Sequence, residues 1–376
     1  MKHDSLRTPV DSAATPFLPW LDEILPYVPG KPPEAVLEKL QGRTLTRLAS
    51  NENSLGPSPA AAAVLRDGGI ELNRYPDDQA QSLKNALGDS FGVPVDQIVV
   101  GNGSNDLIDQ LVRITSAPGT EVIMSEASFP TCRISALAAG AQLTLVPQRE
   151  DRHDLVAMAA AIGPETRMVY VCNPNNPTGT ANSAADVDQF LTALPSHVLP
   201  VFDEAYFEYV DDPSYPDLLP RVLAQENLVL LRTFSKCYSL ANLRIGYGFC
   251  PSTVPQRIEK VRLPFNANGV AQKAAIASIR DTKQVERSRD FNANGKALLY
   301  QALADMGIAY TKSVTNFIMM RIPYERGSLY NELLGRGVVV RPLSSFGLSA
   351  DHYRVTIGRK DENLTFLQAL KDTLAS

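Results

Sequence analysis

The sequence is poor in the residues that build metal sites and covalent frameworks. Among 376 residues there are four cysteines and four histidines. Cys132, Cys172, Cys237 and Cys250 form no C-x-x-C pair, and His3, His153, His197 and His352 do not cluster with them. Zinc-ligand spacing and a disulfide scaffold are both absent, so no metal is expected. Long hydrophobic runs are missing as well: the longest, Leu155 to Ile162, is eight residues, against the ~20 that cross a bilayer. No membrane partner is expected. Excess positive charge is also lacking, since 36 Lys and Arg stand against 41 Asp and Glu for a net charge of −5. Such a chain offers no global field to a polyanion, which excludes nucleic acid as a partner. The first dozen residues carry Lys2, Asp4, Arg7 and Asp11 and no apolar h-region, so the cytoplasm is the expected compartment.

What is present is ordinary globular composition, 44% hydrophobic and 20% charged, which rules out whole-chain disorder. The length favours a large domain with a smaller partner. From about Asp96, short β-branched runs alternate with helix-like stretches: Ile98 to Val100, Glu121 to Met124, Gln142 to Val146, Met168 to Val171, Leu199 to Phe202, Leu228 to Leu231 and Ile245 to Phe249. Seven strands separated by helices predict an α/β fold with a mostly parallel seven-stranded sheet. Ser104 is the expected cap of a helix carrying Leu107, Ile108, Leu111 and Val112 at a 3.6-residue period. The last third predicts a smaller α+β domain, with a helix near Ala271 to Ile279, strands near Asn316 to Ile322, Val338 to Arg341 and Arg354 to Ile357, and a closing helix on Leu364, Leu367, Leu370 and Leu374. The expected division is an N-terminal segment over 1–50 that joins the small domain, a large domain over 51–265 and the small domain over 266–376.

Four segments follow strands, where open α/β sheets build ligand sites. Gly101-Asn-Gly-Ser-Asn-Asp106 enters a helix whose first N–H groups suit a phosphate. Asn173-Pro-Asn-Asn-Pro-Thr-Gly179 is a shaped amide loop, and Val201-Phe-Asp-Glu-Ala-Tyr206 puts an acid at the end of an apolar strand. Arg232-Thr-Phe-Ser-Lys-Cys-Tyr-Ser-Leu-Ala-Asn-Leu-Arg244 sets a lysine and an arginine among hydroxyls. Each alone has a plain structural reading: a turn, a polar loop, a solvated carboxylate, a surface lysine. Together they converge on pyridoxal 5'-phosphate, whose aldehyde needs a lysine, whose ring nitrogen needs a carboxylate, and whose phosphate needs hydroxyls, amides and an arginine.

On these motifs the chain resembles the fold-type I, aspartate aminotransferase-like pyridoxal-phosphate aminotransferases, and specifically the histidinol-phosphate aminotransferase subfamily. The resemblance implies that Lys236 forms the Schiff base and moves the proton, that Asp203 pairs with the ring nitrogen, and that Tyr206 and Asn176 bond the phenolic oxygen. It implies a phosphate site of Gly103, Ser104, Asn105, Thr233, Ser235 and Arg244, with Phe129 and Ala205 on opposite faces of the ring. Tyr75, in Asn-Arg-Tyr-Pro-Asp77, matches a tyrosine sent to the phosphate by the second subunit, so a homodimer is implied. Arg354 matches the arginine for the substrate carboxylate; Arg341 and Tyr27 match the pair that holds the phosphate of histidinol phosphate. Ser50-Asn-Glu-Asn53, Gly56-Pro-Ser-Pro59 and Pro264-Phe-Asn266 also resemble the subfamily. Phe129 stands where many members carry tyrosine, Asn105-Asp106 replaces the commoner Asp-Glu, and Ser54 replaces a proline.

The activity implied is ping-pong transamination between L-histidinol phosphate and 2-oxoglutarate in histidine biosynthesis. Transamination of aromatic or other amino acids, decarboxylation of a phosphorylated amino acid, a non-catalytic pyridoxal-phosphate sensor and a nucleotide-binding protein are the alternatives.

Overall fold

The computed structural model describes residues 16–26, 45–66 and 71–375. After a short strand β1 (Thr46–Arg47), seven strands follow where the apolar runs predict them. They are β2 (Ile98–Gly101), β3 (Glu121–Ser125), β4 (Gln142–Val146), β5 (Thr166–Cys172), β6 (Leu199–Asp203), β7 (Val229–Thr233) and β8 (Gly246–Phe249). Their order across the sheet is β2-β8-β7-β6-β5-β3-β4. Only β8 runs antiparallel to its neighbours, so the sheet is mixed but mostly parallel.

Both faces of this sheet are covered, which is why its strands read as nearly continuous apolar runs. Along β5, Val169 and Val171 enter one cluster with Leu83 and Leu87 of the helix Gln81–Phe91. Met168, Tyr170 and Cys172 enter the other, with Leu107, Ile108 and Leu111 of the helix Ser104–Thr115. Burying each large aliphatic side chain stabilises the fold by ~1.5–3 kcal/mol. The helix Gly269–Arg280, which the sequence expectation groups with the small domain, places Ala271, Ala274, Ala275 and Ile279 in the same cluster as Val169.

A second sheet lies in the last third: β9 (Ala309–Tyr310), β10 (Phe317–Arg321), β12 (Arg341–Pro342) and β13 (His352–Thr356), ordered β12-β13-β10-β9 and antiparallel throughout, while β11 (Val338–Val339) pairs in parallel with β1. That pairing brings the N-terminal part of the chain onto the small unit. Leu48 is fully buried there with Leu299, Ile318 and Phe366. The closing helix is Lys360–Ala375, and its buried residues are Asn363, Phe366, Ala369, Leu370 and Thr373. Leu364, expected inside, is 47% exposed. The stripe turns because Phe366 and a buried asparagine, whose amide and carbonyl close on Gly358, take the inner face.

Candidate active site

The loops that leave β2, β5, β6 and β7 border one cleft of about 250 Å³, open to solvent. Its far wall comes from the second sheet through Arg354 and from Ser50 to Glu52, the segment that follows β1.

One end of the cleft is built for an anion. The helix Ser104–Thr115 points its N-terminus into it, so unpaired N–H groups and the helix dipole face the space. Ser104, expected as the cap, is the first helical residue and caps nothing; Gly103 precedes it at φ +83°. Asp106 does the closing instead, accepting from the Asn102 N–H at 2.8 Å and from Asn266 at 2.7 Å. The left-handed backbone of Gly103 permits a close approach: a Cβ there would lie 2.6 Å from Arg244 Nη2. Arg244 donates to Ser235 Oγ at 3.3 Å, and Ser235 Oγ also receives the Thr233 hydroxyl at 3.0 Å. A cation, two hydroxyls and a helix N-terminus therefore converge.

At the floor stands Asp203, the last residue of β6 and 2% exposed. Tyr170 donates to its Oδ2 at 2.7 Å and the Ala205 N–H to its Oδ1 at 3.1 Å. Burial pushes this carboxyl up to about 6, against the pull of the Tyr170 and Ala205 hydrogen bonds and of Lys236. Lys236 is half-buried, and its Nζ donates to the Ser50 carbonyl at 3.1 Å and lies 5.9 Å from the Tyr206 ring centroid. Burial first, then Arg354, lowers its amine to about 8, with Glu52 opposing. Roughly one molecule in ten thus carries the neutral amine at pH 7, against roughly one in three thousand for an ordinary lysine. A nucleophilic amine beside a buried acid is the chemical centre of the cleft.

The opposite end carries a cation. Arg354 donates through Nη1 to Asn176 Oδ1 and through Nη2 to the Ala49 carbonyl at 2.7 Å, which presents its planar fork at the cleft wall. Asn176 is free to face inward because its neighbour Asn175 anchors the loop, donating to the Ala127 carbonyl at 3.0 Å and accepting from Ser128 at 3.0 Å. Tyr206 receives the Asn51 side-chain N–H at 2.9 Å, and burial raises its phenol. Just beneath, Glu204 and Arg232 form a buried ion pair at 2.9 Å that fixes the β6 turn against β7.

Ser104, Asn105, Phe129, Asn176, Asp203 and Ala205 line this cleft, as do Tyr206, Thr233, Ser235, Lys236, Arg244 and Arg354, and Gly103 stands directly behind Arg244. Arg341 does not line it. It is buried behind the wall, with its Cζ 5.6 Å from the ring of Phe346, a lining residue. Tyr75 is not in its own chain's cleft either: it is 82% exposed and stacks on Phe265 at 4.5 Å over a separate depression. Tyr27 lies outside the described residues. Sequence reasoning did not assign Asn51, Glu52, Phe346 or Tyr170. The signal for Asn51 and Glu52 was in the Ser50 to Asn53 stretch; Tyr170 is the one hydroxyl in an otherwise apolar run.

The family model for aminotransferase class I and II matches residues 43–370. A histidinol-phosphate aminotransferase 2 of Pseudomonas fluorescens is 43% identical over 359 residues, 95% of this chain and 97% of the relative. A histidinol-phosphate aminotransferase of Moorella thermoacetica is 42% identical over 353 residues, covering 94% and 91%. Among solved structures, the histidinol-phosphate aminotransferase of Sinorhizobium meliloti in complex with pyridoxal-5'-phosphate superposes with a TM-score of 0.86 at 30% identity, covering 97% of this chain and 99% of that one. The sheet order, the amine and acid at its strand ends and these matches over nearly the full length lead to one conclusion: the chain belongs to the class I and II aminotransferase family.

Proposed function

We propose that this protein is a pyridoxal-phosphate-dependent aminotransferase that moves the amino group of L-histidinol phosphate to 2-oxoglutarate, a step of histidine biosynthesis in the cytoplasm. The observation that carries the reading is the placement of Lys236 and Asp203 in one cleft, with an anion cradle at one end and Arg354 at the other. The relatives' names support the donor.

The donor set fits the cofactor. The cradle that a Cβ on Gly103 would fill suits a phosphate held by Ser104, Asn105, Thr233, Ser235 and Arg244. Asp203 would keep the ring nitrogen protonated, Tyr206 and Asn176 would bond the phenolic oxygen, and Phe129 and Ala205 would take the two ring faces; all of them line the cleft. Bound there, pyridoxal phosphate supplies an electron sink that stabilises the charge left on the donor's Cα when its proton departs. Lys236 supplies the amine for the aldehyde and then holds and returns that proton at Nζ. Arg354 holds the 2-oxoglutarate carboxylate through its planar fork. Arg341, from behind the wall at Phe346, adds the positive charge that, together with Tyr27, would serve the donor's phosphate.

We further propose a homodimer. Tyr75 stands clear of its own cleft beside exposed Leu72 and Phe265, a position suited to serving the site of a second copy. Residues 51–265 with the helix Gly269–Arg280 then form the cofactor-binding unit, and the chain ends form the smaller one. Amino-donor profiling tests the function: histidinol phosphate is expected to give a kcat/KM far above phenylalanine, and the reverse order would overturn the donor.

A further inference from the structure

We propose that Tyr170 is a positioning residue that, through its hydroxyl, holds the proton shared between Asp203 and the cofactor on the ring nitrogen. The proposal rests on the reading of the cleft as a pyridoxal-phosphate site, and it concerns a residue behind the cleft rather than in its wall.

Tyr170 is fully buried in the apolar cluster of Met168, Leu107 and Leu111, on the face of the sheet that carries the helix Ser104–Thr115. Phenylalanine has the same ring and would satisfy that cluster, and a buried hydroxyl without a partner costs free energy. The hydroxyl has one, Asp203 Oδ2 at 2.7 Å. Strand geometry makes the meeting obligatory: Cys172 is the register partner of Asp203, and Tyr170, two residues back on β5, points to the same side. The Ala205 N–H takes Oδ1, so both carboxylate oxygens have a fixed donor before any ligand arrives. The plane of the carboxylate is therefore set by the protein.

The electrostatic consequence follows from the donor's character. A hydroxyl donating to a carboxylate favours its charged form and opposes desolvation, which otherwise pushes Asp203 up. With the bond in place, Asp203 is the weaker base of the pair and the proton rests on the ring nitrogen. Without it, the proton transfers from that nitrogen to Asp203: one N–H bond breaks, one O–H bond forms, and the pair of charges is lost. The other ionisable groups near Asp203 are Lys236, whose charge acts in the same sense as Tyr170, and the Tyr206 phenol and the thiols Cys132 and Cys172, which burial keeps protonated.

The test is Tyr170→Phe holoenzyme reconstituted with cofactor carrying 15N in the ring. The wild type is expected to show the shift of a protonated pyridine nitrogen at pH 7 to 8. The variant is expected to move toward the neutral value, and the acid limb of its kcat/KM profile to rise by about 1–2 pH units. Cofactor affinity should fall about tenfold in Tyr170→Phe and fall no further when the same change is added to Asp203→Asn. A 15N shift and acid limb identical to wild type, whatever the melting temperature does, would overturn the proposal and leave Tyr170 a packing residue. Failure of the wild type itself to bind the cofactor would instead defeat the reading of the cleft.

Discussion

Arg341 and Arg354 are register partners across β12 and β13, and both guanidinium groups lie against the ring of Phe346, at 5.6 and 5.8 Å. Two cations held side by side on paired strands, one at the cleft wall and one behind it, form a positive wall in a protein of net charge −5.

On the proposed reading, Arg354 serves the carboxylate and Arg341 the donor's phosphate, so the two substrates should respond differently to the loss of Arg341. Arg341→Ala is expected to raise KM for histidinol phosphate by about 10–100-fold, the scale of a charge-assisted hydrogen bond, while changing KM for glutamate far less. Steady-state kinetics with both donors checks it. Equal losses would make Arg341 a general support of Arg354.

Asp203→Asn keeps a hydrogen-bonding group in place but removes the negative charge. The variant should retain cofactor, by its visible spectrum, and lose about 10²–10³ in kcat, the scale of losing one preorganised electrostatic partner. An unchanged kcat would remove Asp203 from the chemistry.

The lowered amine of Lys236 has a pH signature. Its neutral form grows tenfold per pH unit below about 8 and saturates above it. The rate at which apoenzyme takes up cofactor should follow that curve, measured by stopped-flow absorbance. An inflection near 10.5 would mark an ordinary solvated lysine. Stability carries the matching sign: a lysine lowered on folding binds fewer protons folded than unfolded, so its cost is present below pH 8 and relieved between about 8 and 10.5.

Gly103→Ala tests the anion cradle. At φ +83° and ψ 166° the backbone is in a region essentially reserved for glycine, so alanine there costs about 1–3 kcal/mol, and its Cβ would press on Arg244 at 2.6 Å. Cofactor affinity should weaken about 5–30-fold by equilibrium titration. Unchanged affinity would show that the Gly103 turn does not set the position of Arg244.

Much of this was legible in the sequence because the chemistry sits at strand ends. Asp203 terminates an apolar run, Lys236 follows one by a few residues, and apolar runs announce buried parallel strands. The large sheet followed from the same signal. What stayed hidden depended on distant pairing. Ser50 to Glu52 reach Lys236 only because β1 pairs with β11, nearly three hundred residues later in the chain. Tyr170 read as core because its single polar atom gains meaning only when β6 lies alongside. The closing helix kept most of its expected stripe, with Leu367, Leu370 and Leu374 on the small unit's core; only Leu364 turns outward, where Asn363 and Phe366 take the inner positions.

The central claim is that Lys236 is the amine that holds the cofactor. Borohydride reduction of the holoenzyme, followed by peptide mass mapping, tests it directly. The expected result is a pyridoxyl phosphate group fixed to Lys236 in near-stoichiometric yield and absent from Lys236→Ala. Fixation at another lysine, or equal labelling of the variant, would contradict it.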